Sequence, residues 1–288
     1  MFKIGDILKN TVLLLCGTVN EENDLQKINY VIENNINILK DITTKILVLN
    51  TSLTNEKLEE ILSLISNKYN FIILPDHINR RYQIGFIDGD MIGFNYIKYN
   101  NIKYDYIIKM NIDILLFPEF LNLEFNIDSD LIYIPEITSL EKLLYSNERY
   151  IEWKQKSLSF DITNKESFIT WHQPWLYIIS KNVSCIYNNE SLSKLNELFY
   201  KWLNSVDGDL NNCHKQNEFL CSEDMMNDAL LNKNYKKYCL IRDNHFDNYC
   251  EFIKQCNIGD ATIKNVHIKN YGICHFHDKN SNIIEIEV

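Results

Sequence analysis

Glycine and proline are scarce, at 8 and 4 of 288 residues. No Pro-rich or Ser-rich linker, internal repeat or low-complexity tract interrupts the chain beyond a general abundance of Asn. Nothing in the sequence therefore marks a domain boundary. Alanine is scarce too, while Asn, Ile, Lys and Tyr are common. That bias suggests an AT-rich genome, such as that of a low-GC bacterium or a large DNA virus. Clustered Lys and Arg are also lacking: 29 basic residues against 39 acidic ones leave a formal charge of −10 and a pI near 5.2. A protein that grips a phosphate backbone needs a basic face, so no nucleic-acid partner is expected. An acidic chain that binds a small anion must do so with local cations or a metal. The eight cysteines show no Cys-x-x-Cys spacing and follow no secretory signal, which predicts reduced thiols in a cytoplasm, the host's if the source is viral. The apolar run at 11–16 is far shorter than the roughly 20 residues a bilayer span needs, and no membrane anchor is expected.

What is present is an ordinary globular balance, 45% hydrophobic and 24% charged. In the first half, short apolar runs at 12–16, 45–49, 70–74 and 106–110 alternate with amphipathic stretches at 23–40, 55–68 and 88–99. Apolar residues at three- and four-residue spacing make those stretches helices, with Thr54 and Asp88 as N-caps. Strand–helix alternation of this kind predicts an α/β fold on a mainly parallel sheet. Past residue 125 the pattern predicts strands at 131–134, 175–180 and 266–277 and helices at 140–156, 191–204 and 223–232. A single domain, 1–288, is expected, its halves (1–125 and 126–288) sharing one sheet and one cleft.

The most informative segment is 104–118, an apolar strand that ends in Asn111-Ile112-Asp113 and is followed by a second apolar run. In an extended chain, residues two apart point the same way, so Asn111 and Asp113 would face one side together at the carboxyl end of the strand. Open α/β sheets bind ligands there. A hard cation such as Mg²⁺ or Mn²⁺ takes oxygen ligands, usually one or two carboxylates with phosphate oxygens and water. Asn-x-Asp after a strand is also an ordinary turn.

Further along, 171–181 opens on Trp171, His172 and Trp175, and Ser222-Glu223-Asp224 opens an apolar helical stretch. Acids at a helix N-terminus are stabilised in the ionised form, though Ser222 as a plain cap with acids complementing the dipole accounts for them equally. Near the end, 271–279 carries Cys274, His275, His277 and Lys279. His-x-His with Cys274 has the ligand chemistry of half a zinc site. Arg80 and Arg81 lie between the strand at 70–74 and the next helix, where a planar guanidinium would suit phosphate.

In order of elements over residues 10–280, the chain resembles the GT-A glycosyltransferases. Their Asp-x-Asp at the end of a central strand is similar to Asn111-Ile112-Asp113 within 107–121, with Asn in place of the first Asp. The resemblance implies a Rossmann-related GT-A domain that uses Mn²⁺ or Mg²⁺ to transfer a hexose from a nucleotide-diphosphate sugar, UDP-sugar above all, to a glycan or other hydroxyl acceptor. It implies donor contacts in the first half and acceptor contacts in the second. It makes Asn111, Asp113, His275 and His277 candidate metal ligands. Gly17, Thr18, Arg80, Arg81 and Lys279 become donor contacts. Trp171, His172 and Trp175 become the acceptor platform, since sugar C–H faces pack on aromatic rings. Asp224, with Glu223 as the alternate, would be the base of an inverting transfer. Two other readings stand beside it. A sugar-phosphate nucleotidyltransferase would need a basic Gly-rich loop after the first strand, where 17–24 is acidic; a non-catalytic binding module on the same fold would suit the lost carboxylate at Asn111.

Overall fold

The computed structural model describes residues 1–19, 22–51, 56–76, 83–139, 168–183, 236–240, 265–276 and 283–286. A short β1 (Phe2–Lys3) and α1 (Ile4–Ile7) precede β2 (Thr11–Val19). Then come α2 (Glu22–Ile38), β3 (Thr44–Thr51), α3 (Glu56–Tyr69), β4 (Phe71–Asp76), α4 (Gln83–Tyr99) and β5 (Tyr106–Asn111). After β6 (Ile114–Leu116) and β7 (Glu124–Phe125) lie β8 (Leu131–Ser139), β9 (Phe168–Ser180) and β10 (Lys237–Cys239). The last described strands are β11 (Asn265–Ile268), β12 (Ile273–His275) and β13 (Ile283–Ile286).

The fold is α/β, with a mixed, mainly parallel central sheet between helices, as the sequence pattern predicts. Seven strands run in the order β10-β8-β9-β5-β2-β3-β4. β4, β3, β2 and β5 are parallel to one another, β9 is antiparallel to both β5 and β8, and β10 is parallel to β8. Strands from both halves of the chain thus share one sheet. β2 is buried on both faces: Leu13, Leu15 and Val19 pack into one core and Val12, Leu14 and Cys16 into another. That two-sided burial is why the central strands read as near-continuous apolar runs rather than alternating ones.

The helices divide between those cores. Leu25, Ile28 and Ile32 of α2 and Ile65 and Tyr69 of α3 face the first, while Ile97 of α4, with Met91, Ile92 and Phe94, faces the second. The chain therefore crosses from β2 to β3 over one face and from β4 to β5 over the other. Its direction through the sheet reverses between β2 and β5, and a crevice opens outside the carboxyl ends of strands at such a switch point.

A second sheet, β13-β11-β12-β6, grows from the chain just past β5. The expected single strand at 266–277 is instead β11 and β12 paired antiparallel with each other. Gly272 makes the reversal, at φ 61 in the left-handed region. A Cβ there would meet the Phe120 backbone nitrogen at 2.4 Å, so conformation and space both demand glycine. Asp88 is likewise not a cap, because α4 begins at Gln83 and runs through Gly85, which reads locally as punctuation. Thr54 and the expected helices at 140–156, 191–204 and 223–232 lie outside the described residues. Among the described residues no helix is long and apolar enough to cross a membrane.

Candidate functional site

At the switch point, Cys16 of β2 sits in register with Asn111 of β5. β5 ends at Asn111, and Ile112 and Asp113 form a turn into β6, so the two-residue alternation stops there. The turn is pinned from three sides. Ile112 N–H donates to the Cys16 carbonyl at 3.1 Å, and Phe276 N–H donates to the Asp113 carbonyl at 2.7 Å. The Asn35 amide of α2 clasps β6, donating to the Ile114 carbonyl at 2.7 Å and accepting from Leu116 N–H at 2.8 Å. Gly17 completes the arrangement by having no side chain: a Cβ there would fall 2.2 Å from Ile112 side-chain carbons.

Asp113 is thereby set against β12, whose His275 pairs in register with Ile114. Asp113 Oδ2 lies 3.4 Å from His275 Nε2, with both side chains about a quarter exposed. Burial alone would raise the Asp113 carboxyl. The hydrogen bond and charge of His275, with the charge of Lys27, outweigh it and hold the carboxyl down to about 2. The carboxylate is therefore ionised at any neutral pH. Its other oxygen, Oδ1, is shut off from solvent and has no hydrogen-bond partner, an uncompensated position that a ligand would relieve.

These features test the fit of a divalent cation. An ionised carboxylate with one orphaned oxygen and a facing imidazole nitrogen are suitable donors, and adjacent ligands of an octahedral Mg²⁺ stand about 3 Å apart. Among the described residues no group of three or more His, Cys, Asp and Glu gathers around a common point. A cation on Asp113 and His275 would therefore take its remaining ligands from substrate oxygens and water, which is how such ions are commonly held. Cys274, which with the histidines would make half a zinc site, is buried with Val31, Leu115 and Phe276, and burial pushes its thiol up to about 12.

Asn111 has a different neighbourhood. It is nearly buried, on the α4 side of the sheet, and Lys109 Nζ donates to its Oδ1 at 2.7 Å. Lys109 is fully buried 3.3 Å from Asp90 of α4, and Tyr177 of β9 donates its hydroxyl to Asp90 at 2.7 Å. Burial pushes the Asp90 carboxyl up, opposed by the Lys109 charge and the Tyr177 hydroxyl. It pushes the Cys16 thiol up as well, so that cysteine is an unreactive core residue. Lys109, Asp90, Tyr177 and Asn35 are not among the candidate residues that the sequence singles out. The signal for the first two is a lone charge inside an apolar strand, Tyr-Ile-Ile-Lys-Met-Asn, and another inside an apolar helix, since charges at such positions are buried only when paired.

Thr18, half-buried, and Gly17 are at the carboxyl end of β2 beside this turn. Trp171, His172 and Trp175 lie on β9, where Leu176 pairs with Met110, so the backbone at Trp175 reaches the level of Asn111. Arg80, Arg81, Glu223, Asp224, His277 and Lys279 lie outside the described residues. One cavity of about 450 Å³ opens at the opposite, amino end of β5, around Asp105, Asp130, Ser180 and Lys181. Two of its three carboxylates are already engaged within the chain: Asp105 by Lys181 and Asn10, and Asp130 by Ser180, Asn182 and the Lys236 N–H.

No protein-family model and no curated protein matches the chain. Among solved structures it is similar to the inositol-1-phosphate CTP transferase from T. maritima, at 8% identity over 88% of this chain and 98% of that one, TM-score 0.43. It is also similar to the galactosyltransferase LgtC in complex with donor and acceptor sugar analogs, at 12% identity over 93% of this chain and 88% of that one, TM-score 0.44. A third is the mannosyltransferase PcManGT from Pyrobaculum calidifontis in complex with GDP-Man and Mn²⁺, at 9% identity over 88% of this chain and 65% of that one, TM-score 0.38. Function resides in sites rather than in folds, and for this chain it is the side chains at the switch point that bear on it.

Proposed function

We propose that the chain is a metal-assisted glycosyltransferase that moves a sugar from a nucleotide-diphosphate donor, UDP-sugar in the first instance, to an acceptor hydroxyl. One observation carries this reading: Asp113, ionised and with an orphaned oxygen, faces His275 at the sheet's switch point. A net charge of −10 makes a bound cation the natural means of holding a diphosphate there.

Asp113 and His275 would hold Mn²⁺ or Mg²⁺, with His277 a further candidate. Bound, the cation supplies neutralisation of the charge that develops on the departing nucleotide diphosphate. The chain's own residues do the rest. The turn at Ile112, clamped by β2, α2 and β12, fixes the carboxylate before substrate arrives, so little reorganisation is needed. Gly17 and Thr18, at the carboxyl end of β2 beside it, are proposed to contact the donor. Arg80, Arg81 and Lys279 are proposed to add local positive charge against the donor phosphates. Trp171, His172 and Trp175 are proposed to seat the acceptor, and Asp224 or Glu223 to take the proton from its hydroxyl in an inverting transfer. The residues before about 126 would then serve the donor and those after it the acceptor.

The test is nucleotide release from a panel of UDP- and GDP-sugars with and without Mn²⁺. Cation-dependent UDP release that Asp113→Ala and His275→Ala each reduce by at least 100-fold is expected. Pyrophosphate release from a nucleoside triphosphate and a sugar phosphate would replace this reading with a nucleotidyltransferase. Cation-dependent binding without any release would leave a binding module.

A further inference from the structure

Resting on that reading, we infer that Asn111 is a hydrogen-bond donor to the donor's diphosphate rather than a ligand of the cation, and that Lys109, Asp90 and Tyr177 are positioning residues that fix it in that sense. An Asn side chain offers an acceptor on one arm and two donors on the other. Which arm faces the crevice is decided by what holds the opposite one. Lys109 Nζ stands 2.7 Å from the amide, and an ammonium has donors only, so the arm facing it is the oxygen.

Lys109 is held where it stands. It is completely buried, its charge is paired with an equally buried Asp90, and Asp90 is itself fixed by the Tyr177 hydroxyl. The Tyr177 ring also lies 5.5 Å from the ammonium. Turning the amide over would set N–H groups against an ammonium, and moving Lys109 would strand a buried charge. The NH₂ arm is therefore turned away from the Lys109 contact, at the last residue of β5, where the switch-point rule predicts a crevice, and among the described residues no group accepts from it. An amide nitrogen has no lone pair for a metal. A cation on the oxygen would stand a few ångström from the Lys109 ammonium, where like charges repel. An anionic oxygen meets the reverse situation, two donors on an amide polarised by the cation behind it. The crevice is thus divided, with Asp113 and His275 for the cation and Asn111 for the anion.

Titration of Mn²⁺ alone, and of UDP, UMP and uridine at saturating Mn²⁺, into wild type, Asn111→Ala and Asn111→Asp separates the two roles. A donor to phosphate predicts that both variants bind UDP at least tenfold more weakly while the Mn²⁺ Kd of Asn111→Ala stays within threefold, and that the penalty vanishes with uridine. A tenfold loss of Mn²⁺ affinity in Asn111→Ala would overturn the inference. So would tighter Mn²⁺ and UDP binding by Asn111→Asp, or an equal penalty on uridine. The positioning role is read from a cycle. In Lys109→Met with Asp90→Asn the amide is free to turn, so adding Asn111→Ala should cost less than threefold in UDP affinity; an undiminished penalty would remove Lys109 and Asp90 from the account. Wild type that binds neither Mn²⁺ nor UDP would sink the glycosyltransferase reading itself, which sets that failure apart from the others.

Discussion

Asp113 titrates far from where an unfolded chain would let it. Its carboxyl is held at about 2 against an ordinary value near 3.9. Between those values the unfolded chain binds more protons than the folded one, so stability rises with pH through the window. The contribution is fully present above about pH 4 and lost as pH falls through about 2, amounting to roughly 2 kcal/mol. Urea midpoints measured from pH 6 to pH 2 should fall less steeply in Asp113→Asn than in wild type, and identical acid limbs would show that His275 and Lys27 do not hold the carboxylate. Lys109 poses the opposite problem, a charge with no access to water. Lys109→Met leaves Asp90 buried and unpaired, at an expected cost of about 3–5 kcal/mol in urea unfolding. Adding Asp90→Asn, which still accepts from Tyr177, should recover most of that loss. A Lys109→Met chain as stable as wild type would mean that the pair contributes nothing to folding.

At the scale of elements, the two-residue turn between β5 and β6 joins the seven-stranded and four-stranded sheets and carries the site. Gly17 of β2 underlies it, with the Ile112 side chain in the space a Cβ would take. Gly17→Ala must push Ile112 aside, at an expected cost of about 1–3 kcal/mol. Because Ile112 is flanked by Asn111 and Asp113, Mn²⁺ affinity should fall with stability. Trimming the obstruction in Gly17→Ala with Ile112→Ala should restore Mn²⁺ affinity better than it restores the unfolding midpoint, which isothermal titration and urea unfolding would read separately. The elements that sequence made legible are those with long, clean periodicity: α2 expected at 23–40 and found at Glu22–Ile38, α3 at 55–68 and found at Glu56–Tyr69, and the parallel strands β2, β3 and β5. What stayed hidden depends on tertiary contact. The fold at Gly272 splits one apolar run into β11 and β12, and only their pairing with β6 shows that His275 reaches Asp113. Likewise, alternation along β5 could place Asn111 and Asp113 on one side only while the strand lasted. The lysine that holds the Asn111 amide, and the turn that carries Asp113 toward β12, appear only in the folded chain.

For the whole molecule, the decisive quantity is charge. A chain of −10 repels a nucleotide diphosphate at distance, whatever its crevice offers at contact. Salt screens that repulsion over a Debye length of about 10 Å at 0.1 M, while contacts inside a closed crevice are screened much less. Most enzymes that bind phosphates through a basic field lose association rate as salt rises. Here the long-range and local terms have opposite signs, so stopped-flow association of a UDP-sugar at saturating Mn²⁺ should speed up by about two- to fivefold between 20 and 200 mM KCl, with dissociation little changed. Association that instead slows with salt would mean that local cations such as Arg80, Arg81 and Lys279 reach beyond the crevice and outweigh the acidic surface. The attraction would then come from the chain's own side chains, and the cation at Asp113 and His275 would be left to the chemistry alone.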